Sequence, residues 1–154
     1  MFQELSRGYF FSMNATPFDK ALAHGFARVG LGINIALHGF VRLPNLSGFA
    51  ADMQQQFAET FLPGPVVYAT GYCIAIGEAV TGTLLVLGLW LRPALAAGSL
   101  LMILLLSGTC LLQNWSVAGL QLGYLAFYTA LLATATCDRF SIDGALRSRA
   151  ASAH

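Results

Sequence analysis

The stretch that decides the fold spans residues 66–91 and reads VVYATGYCIAIGEAVTGTLLVLGLWL. It is uncharged except at its midpoint, Glu78. A helix of this length can cross the roughly 30 Å of hydrocarbon in a bilayer. A carboxylate at that depth costs about 3 kcal/mol unless it is paired, protonated or in a wet cavity. The sequence therefore predicts a membrane helix in which Glu78 has a buried partner, and Arg28 is the expected one.

The composition places the whole chain in the membrane class. Of 154 residues, 56% are hydrophobic and only 10% are charged, and the mean hydropathy is +0.66. Soluble domains carry about 25% charged residues, so a soluble fold is excluded. The net charge of +1 gives no reason to expect a nucleic acid partner. Cys73, Cys110 and Cys137 lack the spacing of a metal site, so we expect no metal.

Four apolar segments are long enough to cross a membrane, at about 20–41, 66–91, 93–112 and 117–137. A segment in lipid must be helical, because its backbone polar groups find no partners there otherwise. We therefore predict an all-α integral membrane four-helix bundle. It forms a single domain over residues 1–146, and residues 147–154 form a polar C-terminal tail.

Basic residues are divided unequally between the two sides of this bundle. The side that holds both termini carries Arg7, Lys20, Arg92, Arg139, Arg147 and Arg149. The opposite side carries only Arg42. The positive-inside rule therefore places the N and C termini in the cytoplasm.

The outer loop between the first two predicted helices is long and patterned. Apolar residues recur every three or four positions, at Leu46, Phe49, Met53, Phe57 and Phe61. This spacing predicts a short amphipathic helix lying in the outer interface. Two interpretations stay open: a helix that only fills the bilayer surface, or a lid over a cavity that opens outward.

The first predicted helix carries a polar stripe. Alternating steps of four and three place on one face His24, Arg28, Leu31, Ile35, His38 and Arg42. Such a stripe is costly in lipid, so we expect it to face the interior of the bundle. Arg28 should lie at the depth of Glu78 and form an ion pair with it. The pair could fix packing alone, or it could serve function.

Further polar-tipped side chains lie on the other helices. Tyr72 is on the second predicted helix, and Gln121, Tyr124 and Tyr128 form a stripe on the fourth. Tyr124 and Tyr128 lie deeper than an aromatic belt and are therefore the better ligand candidates.

Several short motifs resemble the DoxX/DoxD family of membrane proteins. They are HGFVR at 38–42, Gly77-Glu78, LGLWLR at 87–92 and DRFSID at 138–143, and the resemblance covers about residues 22–146. Arg42 stands where the family usually has lysine, so a forked guanidinium replaces a point charge. The resemblance implies a four-helix protein of quinone-linked redox chemistry, similar to subunits of a thiosulfate:quinone oxidoreductase.

The leading hypothesis is a membrane redox subunit that passes electrons from a sulfur compound or thiol donor into the quinone pool. Glu78, His38 and Arg28 are the candidate catalytic residues, with Glu78 relaying protons inward and His38 titrating near neutral pH. The candidate quinone-binding residues are His38, Arg42, Tyr72, Gln121, Tyr124 and Tyr128.

Two other functions compete with this one. The alternative is a non-catalytic scaffold that recruits a soluble oxidoreductase to the membrane, and a carrier is a minor third interpretation. Haem is not expected, because His24 and His38 lie roughly 21 Å apart along one helix and the other three spans contain no histidine. The expected partners are lipid, quinone and either another redox subunit or a second copy of the chain. The expected location is the prokaryotic cytoplasmic (inner) membrane.

Overall fold

The computed structural model of the protein describes residues 16–152, without the side chains of 147, 148 and 150–152. Within this range the regular structure is all helical, which confirms the all-α part of the predicted fold class. The helices are α1 (Pro17–Phe40), α2 (Leu46–Gln56), α3 (Gly64–Leu87), α4 (Leu91–Leu111), α5 (Trp115–Ala133) and α6 (Ile142–Ser152). Short 3-10 turns cover Leu43–Asn45 and Ala135–Cys137. The predicted placements of Arg7, of the Arg147 side chain and of residues 153–154 lie outside the described residues.

Three of the described helices are long and apolar enough to cross a membrane. These are α3 with 24 residues, α4 with 21 and α5 with 19, at mean hydropathies of 1.5, 2.1 and 1.4. The α1 helix is also 24 residues long, but polar side chains interrupt it. Helix α6 covers most of the predicted polar tail.

Two of the predicted spans are too long at their C-terminal ends. Helix α3 stops at Leu87 because Gly88 adopts a left-handed conformation with φ of 63° and caps the helix. Helix α5 stops at Ala133, where a 3-10 turn begins. Helix α1 begins cleanly because Thr16 and Asp19 form a capping box, with Pro17 in the first turn.

Glycines bring α1 and α3 into very close antiparallel contact. A Cβ atom on Gly39 would collide with the backbone of Ala79, and one on Gly32 would lie 2.8 Å from the Val86 nitrogen. A Cβ atom on Gly82 would likewise collide with the backbone of Ala36. These contacts fix the register of the two helices and therefore the depth at which their polar side chains meet.

Helix α2 packs against the first half of α3. Ala50 is buried there, and a Cβ atom on Gly71 would lie 3.0 Å from its Cα. A helix is therefore present in the segment between α1 and α3, where the sequence predicts one. It continues along α3 beyond the point where α1 ends, which leaves a space between α2, α3 and α4.

Residues from all four long helices share one apolar core. It contains Leu31, Ile35, Leu85, Leu91, Leu95, Met102, Tyr128 and Leu131. Helix α1 packs mainly on α3 and only lightly on α5. The core occupies the middle of the molecule, with polar clusters on either side of it.

Candidate functional site

Glu78 forms an ion pair with Arg42. The α3 helix holds Glu78 in the interior, where the residue is only 4% exposed. Arg42 follows the end of α1, and its Nη1 donates to Oε2 of Glu78. The Arg42 side chain is 27% exposed, and its guanidinium lies 4.6 Å from the centre of the Phe49 ring on α2. This cation–π contact connects the ion pair to the helix above it.

The predicted partner of Glu78 is wrong. Gly39 lies against Ala75 and Ala79, so Glu78 is level with the end of α1 rather than with its middle. Arg28 lies about 15 Å lower along α1. The prediction fails because it takes depth from the midpoints of the spans. In the structure, the end of α1 lies level with the middle of the antiparallel α3.

Arg28 belongs to a second buried cluster, at the other end of the core. It is 2% exposed and donates to the carbonyl oxygens of Leu85, Val86 (3.0 Å) and Phe140 (2.7 Å). Its Nε lies 3.9 Å from Oδ1 of Asp138. Arg28 therefore connects α1 to the end of α3 and to the segment after α5, which is a structural role.

The segment 138–143 holds the turn between α3 and α4. The carboxylate of Asp143 accepts from the backbone nitrogens of Trp90 (3.2 Å) and Leu91 (2.8 Å). The Asp143 nitrogen donates to the Gly88 oxygen at 3.1 Å. Asp143 thus caps α4 although it lies 52 residues after Leu91 in the sequence. Its negative charge lies at the positive end of that helix.

Sequence reasoning placed Asp138 and Asp143 in a family-like motif but assigned neither of them a role. Asp138 and Asp143 are the only acidic residues after Glu78. That scarcity was the available signal, because a long apolar chain with one buried arginine needs a nearby counter-charge.

The polar stripe on α1 is confirmed over most of its length. His24, Arg28, Leu31 and Ile35 are buried as expected, and Nδ1 of His24 lies 3.1 Å from the Thr134 hydroxyl. His38 was expected in the interior but is exposed. It still lies near enough to Glu78 to interact with it electrostatically.

An apolar section separates the two polar clusters. Leu31 and Ile35 lie between Arg28 and Arg42 on the same face of α1, and both pack into the core with Leu85. The expected inward relay of protons from Glu78 therefore meets hydrocarbon side chains.

Tyr128 lies beside the ion pair. Its ring packs on Gly98 and the residue is 0% exposed. Its hydroxyl lies near Thr81 and Glu78 but makes no hydrogen bond of ordinary geometry with the described residues. The Thr81 hydroxyl instead donates to the Gly77 oxygen at 2.6 Å. A buried hydroxyl without a partner is uncommon and calls for an explanation.

The remaining candidates do not join this group. The hydroxyls of Tyr72 and Tyr68 lie 3.3 Å apart. Gln121 accepts from the Thr109 hydroxyl at 2.6 Å. Tyr124 and Asn34 line a separate groove of about 300 Å³ between α1 and α5. The structure therefore brings together Arg42, Glu78, His38 and Tyr128 and leaves Arg28, Tyr72, Gln121 and Tyr124 elsewhere.

Neither cysteine chemistry nor a metal centre is assembled among the described residues. Cys73, Cys110 and Cys137 are free thiols. Within residues 16–152, no three side chains of His, Cys, Asp or Glu converge as metal ligands would.

The apolar helices and the buried ion pair together define a helical membrane protein. The sequence model of the DoxX family matches residues 24–115, and the chain belongs to that family. This range includes Arg28, Arg42 and Glu78, whereas Tyr128 and the segment 138–143 lie beyond it. No curated protein and no solved structure matches the chain.

Proposed function

We propose that the protein is a membrane redox subunit that binds a quinone beside the Glu78–Arg42 pair. The observation that carries the proposal is the Tyr128 hydroxyl, which is fully buried, lies near Thr81 and Glu78 and has no hydrogen bond of ordinary geometry with the described residues. A quinone carbonyl accepts hydrogen bonds, so it would satisfy this donor. A buried polar group left without a partner costs about 1–3 kcal/mol of stability, and a ligand that accepts its hydrogen bond would remove this cost.

Each residue of the cluster has a distinct task in this proposal. Arg42 is partly exposed and offers guanidinium donors to a second ligand oxygen. Glu78 accepts or supplies a proton at the ligand, and Arg42 balances its charge. His38 is exposed next to the cluster, and its imidazole passes protons between the cluster and the surroundings. Tyr128 orients the ring by a hydrogen bond.

The electrons come from a partner in this proposal. A sulfur compound or thiol is oxidised there, for example two thiols to a disulfide, and releases two electrons and two protons. The quinone takes up two electrons and two protons and becomes a quinol. Since Leu31, Ile35 and Leu85 separate Glu78 from Arg28, we place the proton exchange of the quinone on the Arg42 side.

The proposal includes α1 as a fourth span and both termini in the cytoplasm of a prokaryotic cell. Two exposed tryptophans support these levels, with Trp90 at one end and Trp115 at the other. Tryptophan is enriched at membrane interfaces, which supports a membrane surface near each of them. Helix α2 then lies at the outer surface.

A non-catalytic scaffold is the second candidate. The observation that favours it is the cluster of exposed apolar residues around the start of α6, namely Phe140, Ile142 and Leu146. These side chains at the proposed cytoplasmic end suit a soluble oxidoreductase that docks there. Such a partner could also be the electron donor of the first proposal.

The test is to extract the protein, purified in mild detergent, and identify bound quinone by mass spectrometry. We expect about one quinone per chain, and a loss of at least fivefold in Arg42→Ala. Arg92→Ala, at an exposed arginine away from the pair, is the matched control and should keep its quinone. Absence of quinone from the wild-type protein would refute the proposal and favour the scaffold.

A second measurement tests the proton step. With a donor and partner supplied, Glu78→Gln should abolish quinone-dependent turnover and leave insertion into the membrane intact. Unchanged turnover would remove Glu78 from the mechanism, whatever the binding result.

A further inference from the structure

A cavity of about 390 Å³ lies between α2, α3 and α4, on the outer side of Glu78. Most of its wall is hydrocarbon, and the main lining residues are Met53, Phe57, Val67, Ile74, Leu104 and Leu105. The Phe57 ring covers it, since a Cβ atom on Gly108 would lie 3.1 Å from that ring. The cavity exists because α2, rather than a continuous α1, covers this half of α3.

The hydroxyl groups in the wall already donate hydrogen bonds within the protein. Thr70 donates to the Val66 oxygen and Ser107 to the Ile103 oxygen, both at 2.8 Å. Thr109 donates within α4 and towards Gln121. Three apparent polar groups therefore offer no free donor to a guest. Apart from the exposed Gln56 amide, the wall behaves as an apolar surface.

Such a space does not stay empty in a membrane protein. Protein interiors are close-packed, and side chains around a void lose dispersion contacts. Water is a poor guest, because it needs two to four polar partners. The occupant should therefore be a hydrocarbon chain.

One wall of the cavity approaches the ion pair along α3. Ile74 lines the cavity and lies four residues, about 6 Å, before Glu78 on the same buried face of α3. A ligand with its polar ring at Glu78 would have to extend its apolar tail past only this one turn of α3 to reach the cavity. The groove between α1 and α5 is smaller and carries Asn34 and Tyr124, so it suits a hydrocarbon less well.

We propose that this cavity holds the isoprenoid tail of the quinone whose ring lies beside Glu78 and Arg42. The inference rests on the proposed function and specifies its ligand, which is a quinone with a long apolar tail. The protein holds the ring at the ion pair and the tail in the cavity. The bilayer also dissolves the tail, so the cavity contributes packing and position rather than transfer from water.

The experiment uses photocrosslinking of the full chain in lipid nanodiscs with three probes. The first is a ubiquinone with a diazirine on its tail, the second a ubiquinone with an azide on its ring, and the third a phosphatidylcholine with a diazirine in an acyl chain. Labelled residues are identified by peptide mass spectrometry. We expect the tail probe to label the cavity wall, and excess unlabelled ubiquinone to reduce that labelling at least fivefold. The same set is run with menaquinone probes.

A pair of valine variants tests the cavity itself. Val67→Phe fills it from the buried wall and should reduce tail labelling there at least fivefold. Val117→Phe makes the same change at a half-exposed position of α5 that lines none of the cavities described above, and should leave labelling unchanged. Both variants are checked for folding by thermal melting, and Thr70→Leu replaces Val67→Phe if the latter does not fold.

The outcomes separate this inference from the proposed function. Ring label near Glu78 with tail label spread over lipid-facing residues, or on the α1–α5 groove, would overturn the tail site and keep the quinone site. Cavity label from the phospholipid probe that quinone does not displace would assign the cavity to lipid and overturn the inference. No ring label near Glu78 with either quinone type would refute the proposed function.

Discussion

Arg42 and Glu78 join the end of α1 to the middle of α3 through an ion pair in the interior. Phe49 packs on the Arg42 guanidinium, so the pair also connects to α2. The pair therefore lies where α1 ends and α2 begins to cover α3. A change at either residue should affect both this helix junction and the proposed ligand site.

Removing one charge of this pair should be worse than removing both. Arg42→Gln leaves Glu78 buried without its counter-charge, whereas Arg42→Gln with Glu78→Gln leaves two neutral groups. Breaking a fully buried pair costs about 3–5 kcal/mol, and the partial exposure of Arg42 reduces this to about 1–3 kcal/mol. An SDS unfolding titration of both single variants and the double variant measures the coupling. Strictly additive losses would mean that the pair contributes no coupling energy.

Gly39 should be intolerant of any side chain, while Gly30 should tolerate one. Gly39→Ala places a methyl group into the backbone of Ala79 and should cost about 1–3 kcal/mol or more by overpacking. A Cβ atom on Gly30 would meet no other part of the described chain within 4 Å, so Gly30→Ala should be neutral or stabilising by up to about 1 kcal/mol. Melting temperatures in one detergent compare the two. Equal melting temperatures would mean that α1 and α3 can separate at little cost.

The sequence is sufficient to predict the helices and the burial of the charges. Apolar length predicts α3, α4 and α5, and the cost of charge in lipid predicts that Glu78 and Arg28 are buried. It is not sufficient for the pairing. The partner of Glu78 depends on the α1–α3 register, which the close contacts of Gly32 and Gly39 determine. Those contacts join residues far apart in the chain.

Asp138 shows the second limit. The predicted fourth span ends at 137, which leaves the carboxylate one residue later outside the bundle. The segment after α5 instead folds back over the α3–α4 turn, where Asp138 meets Arg28 and Asp143 caps α4. The hydropathy of the sequence does not predict which part of the protein such a segment packs against.

The contribution of the Asp143 cap to the free energy of unfolding should be measurable. Asp143→Ala removes the acceptor of two backbone N–H groups and should cost about 0.5–2 kcal/mol, the range for loss of an N-cap. Asp143→Asn keeps an acceptor and should lose less. Asp52→Ala, at an exposed position of α2, is the control and should change stability by less than about 0.5 kcal/mol. Hydrogen exchange at the start of α4 locates the effect, and unchanged protection there in Asp143→Ala would contradict the cap.

Tyr128→Phe should separate stability from ligand binding. The hydroxyl is buried without a hydrogen bond to the described residues, so its removal should leave the ligand-free protein equally stable or stabilise it by up to about 2 kcal/mol. The same change removes the donor proposed for the quinone and should lower quinone retention by about fivefold to tenfold, as expected for one hydrogen bond of about 1 kcal/mol or slightly more. Tyr124→Phe, on the separate α1–α5 groove, should retain quinone normally. Thermal melting with and without added quinone, together with quinone content after purification, gives both quantities. A large loss of stability in the ligand-free variant would show that the hydroxyl has a structural partner, and the main support for a quinone at this site would then be gone.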